Sequence, residues 1–177
     1  LRYGENPHQK AELFSDKFGT AEKFYSKLNG KDLSYNNFND LNTGLNLVSE
    51  FKQPACVIIK HAIPCGVSEK INLKNAWKNA YLADELSAFG GVVCFNKRVD
   101  VEVANLLIKI FLEVVAAPSF TKEALQILQK KVNLRVIKIK SIKGYAQSSK
   151  KQITMLSNSF LLQDRDKSIL KINQLKL

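Results

Sequence analysis

The stretch "ACVIIKHAIPCGV" (residues 55–67) decides the fold class, because it joins a bare aliphatic run to a polar exit. Residues 55–60 are apolar without alternation up to Lys60, which is typical of a strand covered on both faces of a sheet. Three further aliphatic runs of similar length follow along the chain, at 90–95, 113–118 and 133–139. We predict a strand at each of the four.

Segments with helical spacing of apolar residues lie before and between these runs. The candidates are residues 40–51, 72–85, 101–112 and 122–131. Asn39 or Asp40 is predicted to cap the first helix, Asp100 the third and Thr121 the fourth. Strands that alternate with single helices predict an α/β fold with a mainly parallel sheet and helices on both faces, three layers in all.

In such sheets ligands bind beyond the carboxyl ends of the strands. The rule points to Lys60 and His61, to residues 95–100 after the second strand, and to the region around Pro118. Neighbouring strand residues face opposite sides, so Lys60 and His61 can share one site only if the backbone turns there. Pro64 and Gly66 are the residues from which we predict that turn.

The composition is that of one globular domain, with 45% hydrophobic and 24% charged residues. No apolar run approaches the roughly 18 residues that a membrane helix needs, so no membrane association is expected. Three cysteines without framework spacing (Cys56, Cys65 and Cys94) indicate reduced thiols, and we therefore expect a cytoplasmic protein.

The formal net charge of +11 arises from 27 Lys and Arg against 16 Asp and Glu, and it permits anionic partners. Lysines are densest between residues 130 and 151. A basic nucleic-acid-binding module is therefore one alternative function. It is disfavoured by the lack of interleaved stacking aromatics, and a solvated lysine-rich face accounts for the same charge.

Lys60 and His61 carry the strongest local signal for chemistry. A histidine can take or give a proton near neutral pH, and an ammonium group can stabilise a developing oxyanion. A zinc site is the competing interpretation, since Pro64 and Cys65 form half of a deaminase metal signature. The second cysteine of that signature would be residue 68, which is Ser68, and a His-x-Glu element is missing. We therefore expect no metal.

Six motifs occur in a fixed order along the chain. They read "LRYGENPHQ", "LSYNNFNDL", "CVIIKHAIPCGV", "SAFGGVVCFNKRVD", "FLEVVAAPSF" and "FLLQDRD". Together they resemble the first half of the transformylase region of the bifunctional purine biosynthesis enzymes, AICAR formyltransferase / IMP cyclohydrolase. The resemblance covers residues 1–166.

The resemblance implies an activity: formyl transfer from 10-formyltetrahydrofolate, the co-substrate, to the amino group of AICAR, which gives FAICAR. A separate N-terminal domain of such enzymes closes FAICAR to IMP. The resemblance also implies a cytidine-deaminase-like subdomain, a homodimer, and no requirement for metal, nucleic acid or membrane. A non-catalytic, deaminase-like scaffold is the remaining alternative.

The site residues that follow from the resemblance are carried over motif by motif. His61 falls on the proton acceptor and Lys60 on the residue that stabilises the transition state. Four further positions fall on contacts to AICAR: Arg2, Tyr3, Gly90 and Glu113.

The resemblance also suggests a division of the chain. Residues 1–140 are expected to form the first transformylase subdomain, and 141–177 a connection and the start of the next segment. We expect the chain to be truncated relative to such enzymes, and inactive or very feeble when alone, because the second subdomain holds further substrate contacts.

Overall fold

A computed structural model describes residues 1–14, 24–142, 145 and 151–166 of the chain. The strands are β1 (Tyr25–Asn29), β2 (Ala55–Lys60), β3 (Ile63–Glu69), β4 (Val92–Phe95), β5 (Val114–Ala117), β6 (Arg135–Ile139), β7 (Lys151–Met155) and β8 (Phe160–Asp164). The helices are α1 (Tyr35–Val48), α2 (Leu73–Ala83), α3 (Glu85–Ala88), α4 (Val101–Leu107) and α5 (Lys122–Gln129). The four predicted buried strands are confirmed as β2, β4, β5 and β6.

The main sheet is mixed, with the strand order β1-β6-β5-β4-β2-β3. Only β4–β5 and β5–β6 are parallel pairs, whereas β2 runs antiparallel to both β3 and β4, and β1 antiparallel to β6. The predicted α/β class is therefore correct, and the prediction of a mainly parallel sheet is wrong. Two strands that were not predicted are the reason. The chain reverses after β2 into the hairpin partner β3 before α2 begins, and β1 pairs antiparallel with β6 at the other end of the sheet.

Both faces of the sheet are covered, which explains why β2 shows no polar alternation. Ala55, Val57 and Ile59 lie on one face, in a buried cluster with the apolar side chains of α1. Cys56 and Ile58 lie on the other face, in a cluster with side chains from α2, α4 and α5. All five of these residues are fully buried. Side chains on each face therefore follow the strand period of two even though the sequence is uniformly apolar.

Helix α1 begins earlier than its apolar pattern indicates. Ser34 is the N-cap, and its hydroxyl accepts a hydrogen bond from the Asn37 backbone N–H at 3.2 Å. The Asn37 side-chain oxygen accepts in turn from the Ser34 N–H at 3.1 Å, so the two residues form a capping box. The predicted caps Asn39 and Asp40 are wrong, because both lie inside the helix that this box starts.

The other two predicted caps are confirmed. Asp100 accepts from the Val103 N–H at 3.0 Å at the start of α4. Thr121 accepts from the Ala124 N–H at 3.1 Å at the start of α5. Each satisfies a backbone donor that the first helical turn leaves unpaired.

The turn after β2 lies at His61 and Ala62, whose φ angles are 50° and 60°. Lys60 pairs directly with Ile63, so the two strands are joined by a two-residue hairpin turn. The prediction that places the turn at Pro64 and Gly66 is wrong, since both lie within β3. Proline is accepted there because β3 is an edge strand of the sheet.

Strands β7 and β8 form a separate antiparallel hairpin. The predicted strand at 160–166 is confirmed as β8, whereas the predicted surface connection at 141–159 contains β7. Parts of that connection, residues 143–144 and 146–150, lie outside the described residues. Strand β6 ends at Ile139, and the division of the chain at residue 140 stays a prediction.

None of the helices in the described residues has the length and hydropathy needed to cross a membrane.

Gly66 provides a test of the β3 assignment. A Cβ at this position would overlap the backbone carbonyl oxygen of Ala80 in α2. We expect Gly66→Ala to lower the free energy of unfolding by about 1–3 kcal/mol, as overpacking does elsewhere, when measured by urea denaturation. The control Val67→Thr, one residue on and 40% exposed, should change it by less than about 0.5 kcal/mol. Equal effects of the two changes would contradict the packing of β3 on α2.

Candidate active site

The candidate site lies at one edge of the sheet, where the carboxyl end of β2 meets the amino ends of three other strands. The antiparallel register pairs Ile59 with Val92, and the parallel registers pair Val92 with Val114 and Val114 with Arg135. The residues just outside this row therefore share an edge. They are Lys60, His61, Gly90, Gly91 and Glu113.

Two of the segments predicted to bind a ligand lie elsewhere. Residues 96–100 and Pro118 follow the carboxyl ends of β4 and β5, which is the edge opposite Lys60 because β2 runs antiparallel to β4. The Asn96 side chain instead forms hydrogen bonds to the segment before and at the start of β2. It accepts from the Ala55 N–H at 2.8 Å and donates to the Gln53 carbonyl at 2.7 Å. Asp100 caps α4. Both have structural roles.

Lys60 is held by the backbone that precedes β4. Its Nζ donates to the carbonyl oxygen of Phe89 at 3.0 Å and to that of Gly90 at 3.4 Å. Gly90 has a φ of 69°, and a Cβ there would lie 3.1 Å from the Lys60 Nζ and 3.4 Å from a ring carbon of Phe111. The positive φ favours glycine at position 90, and the lack of a Cβ leaves room for the ammonium group to approach.

His61 occupies the first position of the hairpin turn and is exposed to solvent. A left-handed backbone costs a non-glycine residue roughly 1–2 kcal/mol, and here His61 and Ala62 both adopt it. Asp40 of α1 accepts a hydrogen bond from the Ala62 N–H at 2.7 Å. A carboxylate from another element thus supports the strained turn that presents the imidazole.

Glu113 lies immediately before β5 and is bound from two sides. Its Oε2 accepts from the Asn37 side-chain amide at 2.8 Å and lies 3.8 Å from Nη1 of Arg135. The Arg135 side chain is only 7% exposed, whereas that of Glu113 is 41% exposed. Burial lowers the pKa of Arg135, and the neighbouring Glu113 opposes that change. Glu113 is therefore a partly solvated carboxylate fixed at the site edge.

The N-terminal segment reaches the same region by docking on the start of α1. The Arg2 N–H donates to the Leu33 carbonyl at 3.3 Å, and the Tyr35 N–H donates to the Tyr3 carbonyl at 3.2 Å. The Arg2 guanidinium lies 5.2 Å from the centre of the Tyr3 ring, within cation–π range. Arg2 also contributes to lowering the pKa of Arg135, because the positive charges of the two guanidinium groups repel each other.

Asp40 connects the turn electrostatically to the rest of the site. Burial raises the pKa of this carboxyl, and the Ala62 N–H, His61 and Lys60 oppose the rise, while Glu113 adds to it. The structure therefore brings together all six predicted residues, which fall into two groups. Lys60, His61 and Gly90 surround the turn, and the other three, Arg2, Tyr3 and Glu113, surround Arg135.

Three residues of this edge were not predicted as site residues. Asn37 and Asp40 stand in the quoted motif "LSYNNFNDL", so the sequence did contain a signal for them. Arg135 stands in the aliphatic run at 133–139, and a charged residue there was the available signal. Within the described ranges no group of three His, Cys, Asp or Glu side chains is arranged to hold a metal ion.

The arrangement places an exposed imidazole and a held ammonium group at one sheet edge, which the Asp40 carboxylate and the Glu113–Arg135 pair share. A family model described as the AICARFT/IMPCHase bienzyme matches residues 1–177. The chain belongs to this family.

The AICARFT/IMPCHase assignment agrees with close relatives. The chain is 46% identical over 180 residues to the "Bifunctional purine biosynthesis protein PurH" of Thermoanaerobacter sp. (strain X514), which covers 100% of this chain and 34% of that protein. It is 45% identical over 168 residues to the protein of the same description from Bacillus cytotoxicus, covering 94% of this chain and 32% of the relative. The chain thus spans about a third of the length of the curated relatives it matches.

A weaker likeness exists to a solved structure, "Acinetobacter baumannii RibD, form 1". The TM-score is 0.49 at 14% identity, and the match covers 62% of this chain and 37% of that one. A score at this level does not establish a common fold. The cytidine-deaminase-like arrangement expected for this AICARFT/IMPCHase family member stays a prediction.

The raised pKa of Asp40 predicts how the stability of this family member depends on pH. A carboxyl whose pKa rises on folding above its ordinary value of 3.8 favours the folded state at low pH, and this contribution is lost as the pH rises through the folded-state pKa. An asparagine at this position does not ionise, so Asp40→Asn does not lose stability in this way as the pH rises. We expect the free energy of unfolding of Asp40→Asn, relative to wild type, to increase with pH across this window, as measured by urea denaturation.

Asp84→Asn is the matched control, since the hydrogen bonds with Ser87 lower the pKa of Asp84. Its stability relative to wild type should decrease as the pH rises through the same acidic range. The same trend in both variants would contradict the burial of the Asp40 carboxylate.

Proposed function

We propose that this chain forms the first transformylase subdomain of an AICAR formyltransferase, within a protein that also cyclises FAICAR to IMP. The proposed reaction transfers the formyl group of 10-formyltetrahydrofolate to the amino group of AICAR. One observation carries the proposal: in a member of the AICARFT/IMPCHase family, an exposed histidine and a backbone-held lysine share one sheet edge. The finer fold class that we propose is three-layered and cytidine-deaminase-like.

His61 is the proposed general base. The amino group of AICAR is conjugated with a ring that bears a carboxamide, and this makes it a poor nucleophile. Proton removal during attack therefore lowers the barrier. In the proposed step the amine nitrogen bonds to the formyl carbon while its proton moves to the His61 imidazole. The imidazolium then returns a proton to the folate nitrogen as the bond between that nitrogen and the formyl carbon breaks.

Lys60 is the proposed partner of the oxyanion that this attack creates. An ammonium group has three N–H donors, and the carbonyls of Phe89 and Gly90 orient it by accepting two of them. No acceptor for the third lies among the described residues, so it can meet the developing negative charge. A donor that is already oriented needs no reorganisation when the charge appears, which is the condition for strong electrostatic stabilisation.

The four remaining predicted residues are proposed to bind AICAR. Arg2 supplies a forked cation for an anionic group of the nucleotide, and Tyr3 lies beside it. Gly90 allows close approach of the backbone next to Lys60. Glu113 offers a partly exposed carboxylate that can accept from substrate N–H or O–H groups while Asn37 and Arg135 hold it in place.

The wider properties of the proposed enzyme follow from its family. We propose a cytoplasmic homodimer that needs no metal and whose folate pocket includes residues from the second subdomain. Since the chain spans about a third of its relatives, we expect these 177 residues alone to be inactive or very feeble. The assay for formyl transfer therefore belongs in the protein of full natural length.

The two alternative functions make different predictions. A nucleic-acid-binding module with a net charge of +11 would retain DNA or RNA in moderate salt, whereas a weak electrostatic contact fades steeply. A non-catalytic scaffold would show no binding of AICAR in a calorimetric titration. Neither alternative assigns a role to the lysine that the Phe89 and Gly90 carbonyls hold.

The chain's two histidines provide a matched test of the proposed base. In the full-length protein His61→Gln should lower kcat for FAICAR formation by at least about a hundredfold, the lower range for loss of a general base. Cyclisation of supplied FAICAR should continue at the wild-type rate. His8→Gln, at the other histidine, which is also exposed, should leave both activities unchanged. Formyl transfer at the wild-type rate in His61→Gln would exclude the assignment.

A further inference from the structure

The turn that carries His61 lacks the residues that such a turn favours most. A two-residue hairpin turn with positive φ at both positions favours Asn and Gly, yet the residues here are His61 and Ala62. Alanine has no side-chain group that could form a compensating hydrogen bond in the left-handed region. The conformation therefore depends on contacts from outside the turn.

Asp40 supplies such a contact from the adjacent helix. Its Oδ1 accepts from the Ala62 N–H at 2.7 Å, the short distance typical of a hydrogen bond to a charged acceptor. Asp40 is half-buried and lies three residues after Asn37 in α1. The capping box of Ser34 and Asn37 fixes the start of this helix. The carboxylate is thus held by α1, which packs on β2 and β4.

The charged and titratable groups that face Asp40 come from every element around it. Lys60 and His61 belong to the hairpin, Glu113 precedes β5, and Cys94 lies on β4. Burial raises the pKa of the Asp40 carboxyl, so the folded protein retains this charge at a cost. A residue that costs stability and supports the turn of the candidate base is expected to serve function rather than folding.

We propose that Asp40 is a positioning residue for formyl transfer, whose side-chain oxygen holds the Ala62 N–H and thereby orients the His61 imidazole toward the reacting amine. The inference rests on the proposed function, because it assumes that His61 is the base. It adds a residue that touches neither AICAR nor folate and acts only through the turn.

The kinetic test compares two substitutions at position 40 in the full-length protein. Asp40→Ala removes the acceptor, and kcat for formyl transfer should fall at least tenfold while KM for AICAR changes less than twofold. Asp40→Asn keeps an oxygen in the same place and should recover at least a third of the wild-type kcat. Asn39→Ala, exposed and one residue earlier on α1, is the control and should match wild type.

A second measurement does not depend on activity. Amide hydrogen exchange by NMR on the 177-residue chain should show Ala62 exchanging at least tenfold faster in Asp40→Ala than in wild type. The Ala62 exchange rate in Asp40→Asn should stay close to that of wild type. The amide of Ile59, which lies within β2, reports whether the sheet itself is intact.

The outcomes separate the two proposals. Absence of formyl transfer in the wild-type full-length protein would overturn the proposed function. Unchanged Ala62 exchange in Asp40→Ala, or a kcat within twofold of wild type, would overturn the role of Asp40. A kcat in Asp40→Asn as low as in Asp40→Ala would also overturn positioning, because the charge would then be what matters.

Discussion

The antiparallel pairing of β2 with β4 is the constraint on which the candidate site depends. It brings the carboxyl end of β2 to the edge where β4, β5 and β6 begin. Lys60 consequently meets the Phe89 and Gly90 carbonyls, and Glu113 lies nearby at the start of β5. A parallel β2 would place Lys60 at the opposite edge, beside the cap of α4, with no such partners.

The site carries several features that oppose folding, and the two buried clusters of the sheet offset them. His61 and Ala62 have left-handed backbones, Arg135 is buried with a lowered pKa, and Asp40 is half-buried with a raised pKa. Strain and buried charge of this kind persist where the surrounding structure over-determines them. Here β4 and β5 are entirely buried, and β2 is buried up to Lys60, which provides that rigid support.

Local sequence patterns predicted correctly those features that depend only on residues close together in the chain. The four aliphatic strands and the caps Asp100 and Thr121 are correct, because burial on two faces and N-cap hydrogen bonds leave short-range signatures. Strand β3 was missed because Pro64 and Gly66 are typical of turns. Tertiary contacts explain why these residues occur in a strand. Pro64 lies on a sheet edge, and Gly66 lies against the Ala80 carbonyl of α2.

The sequence by itself determined the α/β class, the family resemblance and the identity of six residues at one edge, since motif order and residue chemistry are properties of the chain. Only the tertiary structure decided which edge they share, and it added Asn37, Asp40 and Arg135 to them. The reason is distance along the chain. The hydrogen bonds that hold the turn and Glu113 join residues 22 and 76 positions apart, and such pairs meet only through the strand order of the sheet.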